Sequence, residues 1–205
     1  MAKKTTKTTG TPSKTSMVQL GNIASLYKFP AVIKESKQGT KIKTITAADV
    51  SEEGLITKAE KEMTFAKSIM DKVEKYYLQP NDVILTVTGI IGKVAIVDES
   101  LKGKCISSST LIVIRFNEEK TKKDDAITLL MYFRSDAGQK ALQKMITGKS
   151  MKIINIGTVS KMKVPEPTTE VKKIAKADFA KIQKHFQKIE ETKKAIDELF
   201  KSFLK

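Results

Sequence analysis

The sequence holds one cysteine, Cys105, one histidine, His185, and no tryptophan. A single thiol excludes an intrachain disulfide framework and any multi-cysteine zinc site, and it suits a reducing cytoplasm. A single histidine leaves a nucleophilic triad or a histidine-based metal site without material. It falls beside an apolar stripe near the C-terminus, where packing is its expected role. Arginine is almost missing as well: Arg115 and Arg134 are the only two among 38 basic side chains. Bidentate guanidinium readout of guanine is therefore not the main source of any sequence discrimination. No run approaches the ~20 apolar residues of a membrane span, and the basic N-terminus continues through threonine, lysine and Pro12 without the apolar stretch of a secretory signal. A soluble, cytoplasmic chain with no membrane contact is expected.

What is present is lysine. The 205 residues carry a formal net charge of +15 and 40% hydrophobic residues, enough apolar material for one core with a separate helical appendage. Such a charge needs an acidic partner. Nucleic acid is the commonest, with membrane surfaces and acidic proteins as alternatives; a low-GC genome would give the same lysine bias without a functional reason.

Catalytic signatures are missing. In Gly89-Ile90-Ile91-Gly92-Lys93 only two residues separate the glycines and a β-branched run follows, whereas a phosphate loop needs four residues and a helix. Gly148-Lys149-Ser150 has the ending of that motif without its upstream glycine. Asp49, Asp82, Asp98, Asp124 and Asp125 could hold magnesium for a nuclease, although Asp49 and Asp82 are more simply turn formers. There is no Asn/Asp-Pro-Pro-aromatic run of the kind that holds a flipped base for methylation, and no glycine-rich cofactor fingerprint. No cofactor, no metal and no enzymatic activity are expected.

Residues 1–16 are mostly lysine, threonine, glycine and serine and read as a flexible basic tail. Val18, Leu20 and Ile23 begin an apolar pattern, Thr44-Ile45-Thr46 reads as a strand entering a capped turn, and Glu53-Gly54 reverses the chain before Leu55-Ile56. Lys58 to Lys75 has no clean period. Pro80-Asn81-Asp82 makes a turn, Val83 to Val87 a strand, and Gly89 to Gly92 a reversal into Val94 to Val97, which together make a β-hairpin. Ser109 to Arg115 reads as another strand. Asp124 to Met145 reads as two helical pieces joined near Ser135 to Gly138, and Ile153 to Ile156 is short and β-like. Lys163-Val164-Pro165-Glu166-Pro167 suits neither a helix nor a central strand, so residues 17–167 form one domain and residues 168–205 a separate helix.

That helix carries a heptad. Phe179, Phe186, Lys193 and Phe200 recur every seven residues, as do Ile182, Ile189, Ile196 and Phe203, which places both sets on one stripe. The stripe must be buried, either on its own domain or against a partner helix. Lys193 weakens it and would favour one register or partner.

These motifs resemble, in order and spacing, a known family. Leu20-Gly21-Asn22-Ile23-Ala24, Ile45-Thr46-Ala47-Ala48-Asp49-Val50, Asn81 to Leu85, and Thr88 to Val97 are similar to the target-recognition domains of Type I restriction-modification specificity subunits. Ser108 to Arg115, Tyr132-Phe133-Arg134-Ser135 with Gly138-Gln139, and Val164-Pro165-Glu166-Pro167 before a long helix resemble the closing part. The resemblance implies an α+β fold: one mixed α/β target-recognition domain followed by a long coiled-coil-forming helix, in a half-subunit form. It implies a non-catalytic reader of double-stranded DNA that directs DNA methyltransferase subunits, and in some complexes a restriction motor-nuclease subunit, to a bipartite target. Because such subunits carry two domains and two helices, a homodimer through the heptad helix would restore that arrangement. Expected DNA contacts are Lys34, Ser36, Lys37, Gln38, Lys41 and Lys43 after Pro30, Thr88 and Lys93 at the hairpin, Ser107 and Ser108, and Lys149 with Ser150. A decoy that occupies a methyltransferase without reading DNA is the competing reading.

Overall fold

The computed structural model describes residues 16–117 and 122–203; the basic tail expected at residues 1–16 lies, apart from Ser16, outside them. In chain order the elements are β1 (Met17–Gln19), α1 (Leu20–Ile23), β2 (Ala24–Tyr27), β3 (Thr40–Ile45), β4 (Leu55–Ile56), β5 (Lys61–Phe65), α2 (Met70–Glu74), β6 (Val83–Thr86) and β7 (Val94–Val97). They continue with β8 (Cys105–Ser107), β9 (Leu111–Phe116), α3 (Lys122–Arg134), α4 (Asp136–Gln143), α5 (Ile156–Ser160), β10 (Lys163–Pro165) and α6 (Thr169–Phe203). The architecture is α+β.

Five strands form the central sheet in the order β2-β9-β6-β7-β4. The hairpin read from the glycine turn is β6-β7, pairing Val83 with Ile96 and Leu85 with Val94. Every residue of β6 and β7 is buried, which is why these strands read as unbroken β-branched runs instead of an alternation. One face of the sheet, with Val83, Leu85, Ile112 and Ile114, packs against Leu130 and Phe133 of α3, Leu142 of α4 and Phe179 of α6. The other face, with Ile84, Ala95, Leu111 and Val113, packs against Ile45, Ile56, Leu78 and Cys105. Cys105 is fully buried, and burial together with the charge of Asp82 pushes its thiol up to about 11, so it packs and does not react.

The second sheet, β5-β3-β8, lies over that face. Its far side closes a third cluster of Phe29, Ile42, Phe65, Val73 and Ile106. Lys58 to Lys75, without a period in sequence, becomes β5, a 3-10 turn at Lys67–Ile69 and α2. Strand β9 begins at Leu111, not at Ser109: Ser108 to Thr110 form a turn in which Leu111 N–H donates to Ser108 O at 3.2 Å. The break between α3 and α4 sits where it was expected, with Ser135 Oγ accepting the Gly138 N–H at 3.2 Å as an N-cap. Ile153 makes isolated bridges only, and Asn155 caps α5 by accepting the Gly157 N–H at 2.8 Å.

Proline-bearing β10 is an edge strand that pairs with β1 alone, as a residue without an N–H requires. Helix α6, 35 residues long and so roughly 52 Å, begins on the domain. Lys172 Nζ lies 2.7 Å from Asp125 Oδ1 and Lys176 Nζ 3.1 Å from Asp124 Oδ1, while Ala175 and Phe179 enter the main core. Ile182 and Phe186 are half-buried; Ile189, Ile196, Phe200 and Phe203 are exposed. His185 is exposed too, because it falls on the outer side of the stripe. The packing role expected for it is not the one it has. No described helix is long and apolar enough to cross a membrane.

Candidate nucleic-acid interface

Four connections, far apart in sequence, open onto one groove of about 900 Å³. Phe29, Pro30, Ile33 and Lys34 form one wall, Lys61 and Met63 of β5 the floor, and Thr46 to Ala48, Thr88 to Ile90 and Ser108 to Thr110 the opposite rim. Two of these loops are pinned by hydrogen bonds. Thr46 is held by Asp49, whose Oδ2 accepts from its N–H at 2.7 Å and its hydroxyl at 2.8 Å. Ser108 N–H donates to Ile45 O at 2.8 Å, and its hydroxyl sits 2.7 Å from that of Thr110. The loop Thr147 to Ile153 joins the same mouth, since Ile153 bridges both Thr88 and Thr147.

Lys34, Thr88 and Ser108 of the expected contacts thus converge at the groove, and exposed Lys149 and Ser150 stand on the adjoining loop. Other candidates separate from them. Ser107, at the end of β8 in the second sheet, is 1% exposed and leaves the set. Lys41 and Lys43 are strand residues of β3 and not loop residues. Antiparallel register sets them opposite Thr64 and Glu62, on the face of the sheet away from Met63, and Lys41 lies 3.6 Å from Glu62. Ser36 is occupied locally: its hydroxyl donates to Gln38 O at 2.8 Å and its N–H to Thr64 O at 2.8 Å. Lys37 and Gln38 are exposed at that turn, at the far end of β5. Lys93 faces α6, with Glu52, Gln139 and Phe186 around it.

Sequence reading missed Lys61 and the turn residues Ser109 and Thr110. The apolar alternation of Met63 and Phe65 was the available signal for β5, and it is too short to stand out among lysines and glutamates.

Both arginines point inward. Arg115 grips the buried Asp82 with two nitrogens, at 2.7 and 2.6 Å, and also donates to Tyr27 Oη at 2.7 Å and Tyr77 O at 3.1 Å. Burial, and after it the charge of Asp82, pushes the Tyr27 phenol well above its ordinary range. Arg134 collects backbone carbonyls: Val94 O at 3.0 Å, Ser51 O at 2.8 Å, and Glu52 O. Neither guanidinium is available to a base edge. The carboxylates considered for magnesium are likewise engaged: Asp82 with Arg115, Asp49 with Thr46, Asp98 with the Ser100 N–H, Asp124 and Asp125 with lysines of α6. Among the described residues no three His, Cys, Asp or Glu side chains are grouped to hold a metal.

Among curated proteins, none matches this chain in sequence. Among solved structures it is similar to the HsdS subunit from Thermoanaerobacter tengcongensis, with 16% identity and a TM-score of 0.56 over 91% of this chain and 42% of that one. It is similar also to a chain from a structure described as the basis of complex assembly and conformational transition of the type I R-M system, with 17% identity and a TM-score of 0.56 over 90% of this chain and 41% of that one. The chain spans about two fifths of the length of these structures, and at such identities the likeness is one of fold. The family model described as Type I restriction modification DNA specificity domain matches residues 12–199. The chain, over nearly its whole length, belongs to that family.

Proposed function

We propose that this chain is a sequence-reading unit of a Type I specificity subunit, binding double-stranded DNA at the groove mouth and performing no chemistry itself. The observation that carries the proposal is the convergence of Lys34, Lys61, Thr88, Ser108 and Ser109 on one open groove, while both arginines are spent inside the fold. Lysines that hold phosphates and hydroxyls that meet base edges are the division of labour such an interface needs. Helix α6 supports the second part of the reading. Its seam runs on beyond the domain with Ile189, Ile196, Phe200 and Phe203 exposed, and a second copy would bury it, setting two grooves on the halves of an interrupted palindromic target. Methyltransferase subunits, and a restriction motor-nuclease subunit where the system has one, would supply the chemistry.

Fluorescence anisotropy tests the reading. One duplex recovered from a randomised pool should bind more tightly than a scrambled duplex at 150 mM salt, and affinity for both should fall steeply with salt, roughly a hundredfold between 50 and 200 mM if four phosphates are neutralised. Equal binding of both duplexes would identify a decoy. For the dimer, light scattering should give twice the chain mass, reverting to one on Phe200→Asp with Phe203→Asp; a wild-type monomer at micromolar concentration overturns that part alone.

A further inference from the structure

Among the described residues outside α6 the exposed large apolar side chains are Met17, Val32, Ile90 and Met151, and the last two are carried by loops that bridge each other beside the groove. Ile90 is 62% exposed at the β6-β7 turn and Met151 is 63% exposed on the Thr147 to Ile153 loop. The antiparallel bridge sets Thr88 opposite Ile153, so the two loops that carry Ile90 and Met151 are joined two residues from each side chain. A lone exposed apolar residue is ordinary on a protein surface. Two of them on loops that bridge each other are less so, particularly when Lys34 and Lys61 line the same groove and Lys149 and Lys152 are exposed on the second loop.

Neither exposure comes from a slack loop. In the hairpin turn Gly92 N–H donates to Thr86 O at 3.0 Å, Lys93 N–H to Thr86 Oγ1 at 2.9 Å, and Gln139 Nε2 to Gly92 O at 2.9 Å. Adjacent Ile91 turns in and packs on the main core, so the braced turn sends one isoleucine inward and its neighbour out. The other loop is fastened likewise, by Ile154 N–H to Val87 O at 3.0 Å and by two bonds between Thr147 and Ile153.

We propose that Ile90 and Met151 are specificity-determining contacts that enter the major groove and read the 5-methyl group of thymine. The inference rests on DNA reading at the groove mouth. It follows from what the surface offers: with no guanidinium free to grip guanine, discrimination falls to lysines, hydroxyls and apolar tips, and the thymine methyl is the apolar feature that distinguishes one base in the major groove. Lysines beside the tips would hold the flanking phosphates and set their depth.

The test uses the full chain, the duplex it selects from a randomised pool, and copies of that duplex with single thymines replaced by uracil, which removes only the methyl. Wild-type protein should lose roughly three- to tenfold in affinity at one or more uracil positions. Ile90→Ser and Met151→Ser, both at exposed sites, should bind the parent duplex more weakly by about that factor and lose nothing further at the matching position. A selected duplex indifferent to uracil, or serine variants that keep the full thymine-to-uracil ratio, overturns the inference while leaving DNA reading intact. Failure to select any duplex overturns both.

Discussion

The turn between β6 and β7 has two sides, and they use polar groups in opposite ways. Thr88 to Ile90 line the groove; Ile91 to Val94 line a joint with Arg134, Gln139 and Phe186 of α6. At the joint the polar groups are consumed. Arg134 is committed to three backbone carbonyls of two segments, Gln183 of α6 donates to Glu53 O, and Gly54, at φ +84°, lets its turn come so close that a Cβ there would lie 3.0 Å from Leu130 Cδ2. At the groove, among the described residues, Lys34 and Lys61 form no ion pair and the hydroxyls are half free. A side built from satisfied donors holds a shape; a side with donors left over can bind something. The difference separates residues that stabilise from residues that recognise, though they are a few positions apart in one hairpin.

That separation can be broken by substitution. The largest effect belongs to Asp82→Asn, which leaves the Arg115 guanidinium without its buried counter-charge; a loss of about 3 kcal/mol is expected in urea unfolding, and a loss under 1 kcal/mol would show that the pair is dispensable. Arg134→Lys keeps the charge but cannot reach three carbonyls from one planar fork, so about 1–2 kcal/mol should go in the same assay, with DNA affinity of the folded protein little changed. Lys34→Ala and Lys61→Ala belong to the other side. Each should leave the unfolding midpoint unmoved while lowering DNA affinity and reducing the slope of log affinity against log salt by about 1. An effect of Lys34→Ala on stability, or of Arg134→Lys on the salt slope, would blur the distinction.

The sequence made the parts with strong local signals legible. Unbroken β-branched runs flanking Gly89 and Gly92 gave the central hairpin, Ser135 gave the break between helices, and the seven-residue repeat gave α6. Segments whose structure depends on distant partners stayed obscure. Strand β5 exists because β3 supplies its hydrogen bonds, and nothing local to Lys61–Phe65 announces that. The site follows the same rule. Lys34, Thr88 and Ser108 could be named singly, but their meeting depends on sheet order, and Lys41 and Lys43 look equivalent to Lys34 until the register of β3 turns them to the other face. Composition likewise showed only that arginine is scarce; that both arginines are spent on Asp82 and on carbonyls is a tertiary fact.

Lysine acetylation footprinting, read by mass spectrometry with and without the selected duplex, tests the placement of the DNA surface most directly because exposed lysines lie on both faces of the second sheet and along α6. Protection is predicted at Lys34, Lys61, Lys149 and Lys152, with Lys41, Lys43 and Lys102 reacting as in the free protein. Protection of Lys41 and Lys43 with Lys34 and Lys61 left reactive would place the DNA on the opposite face of the second sheet and contradict the account.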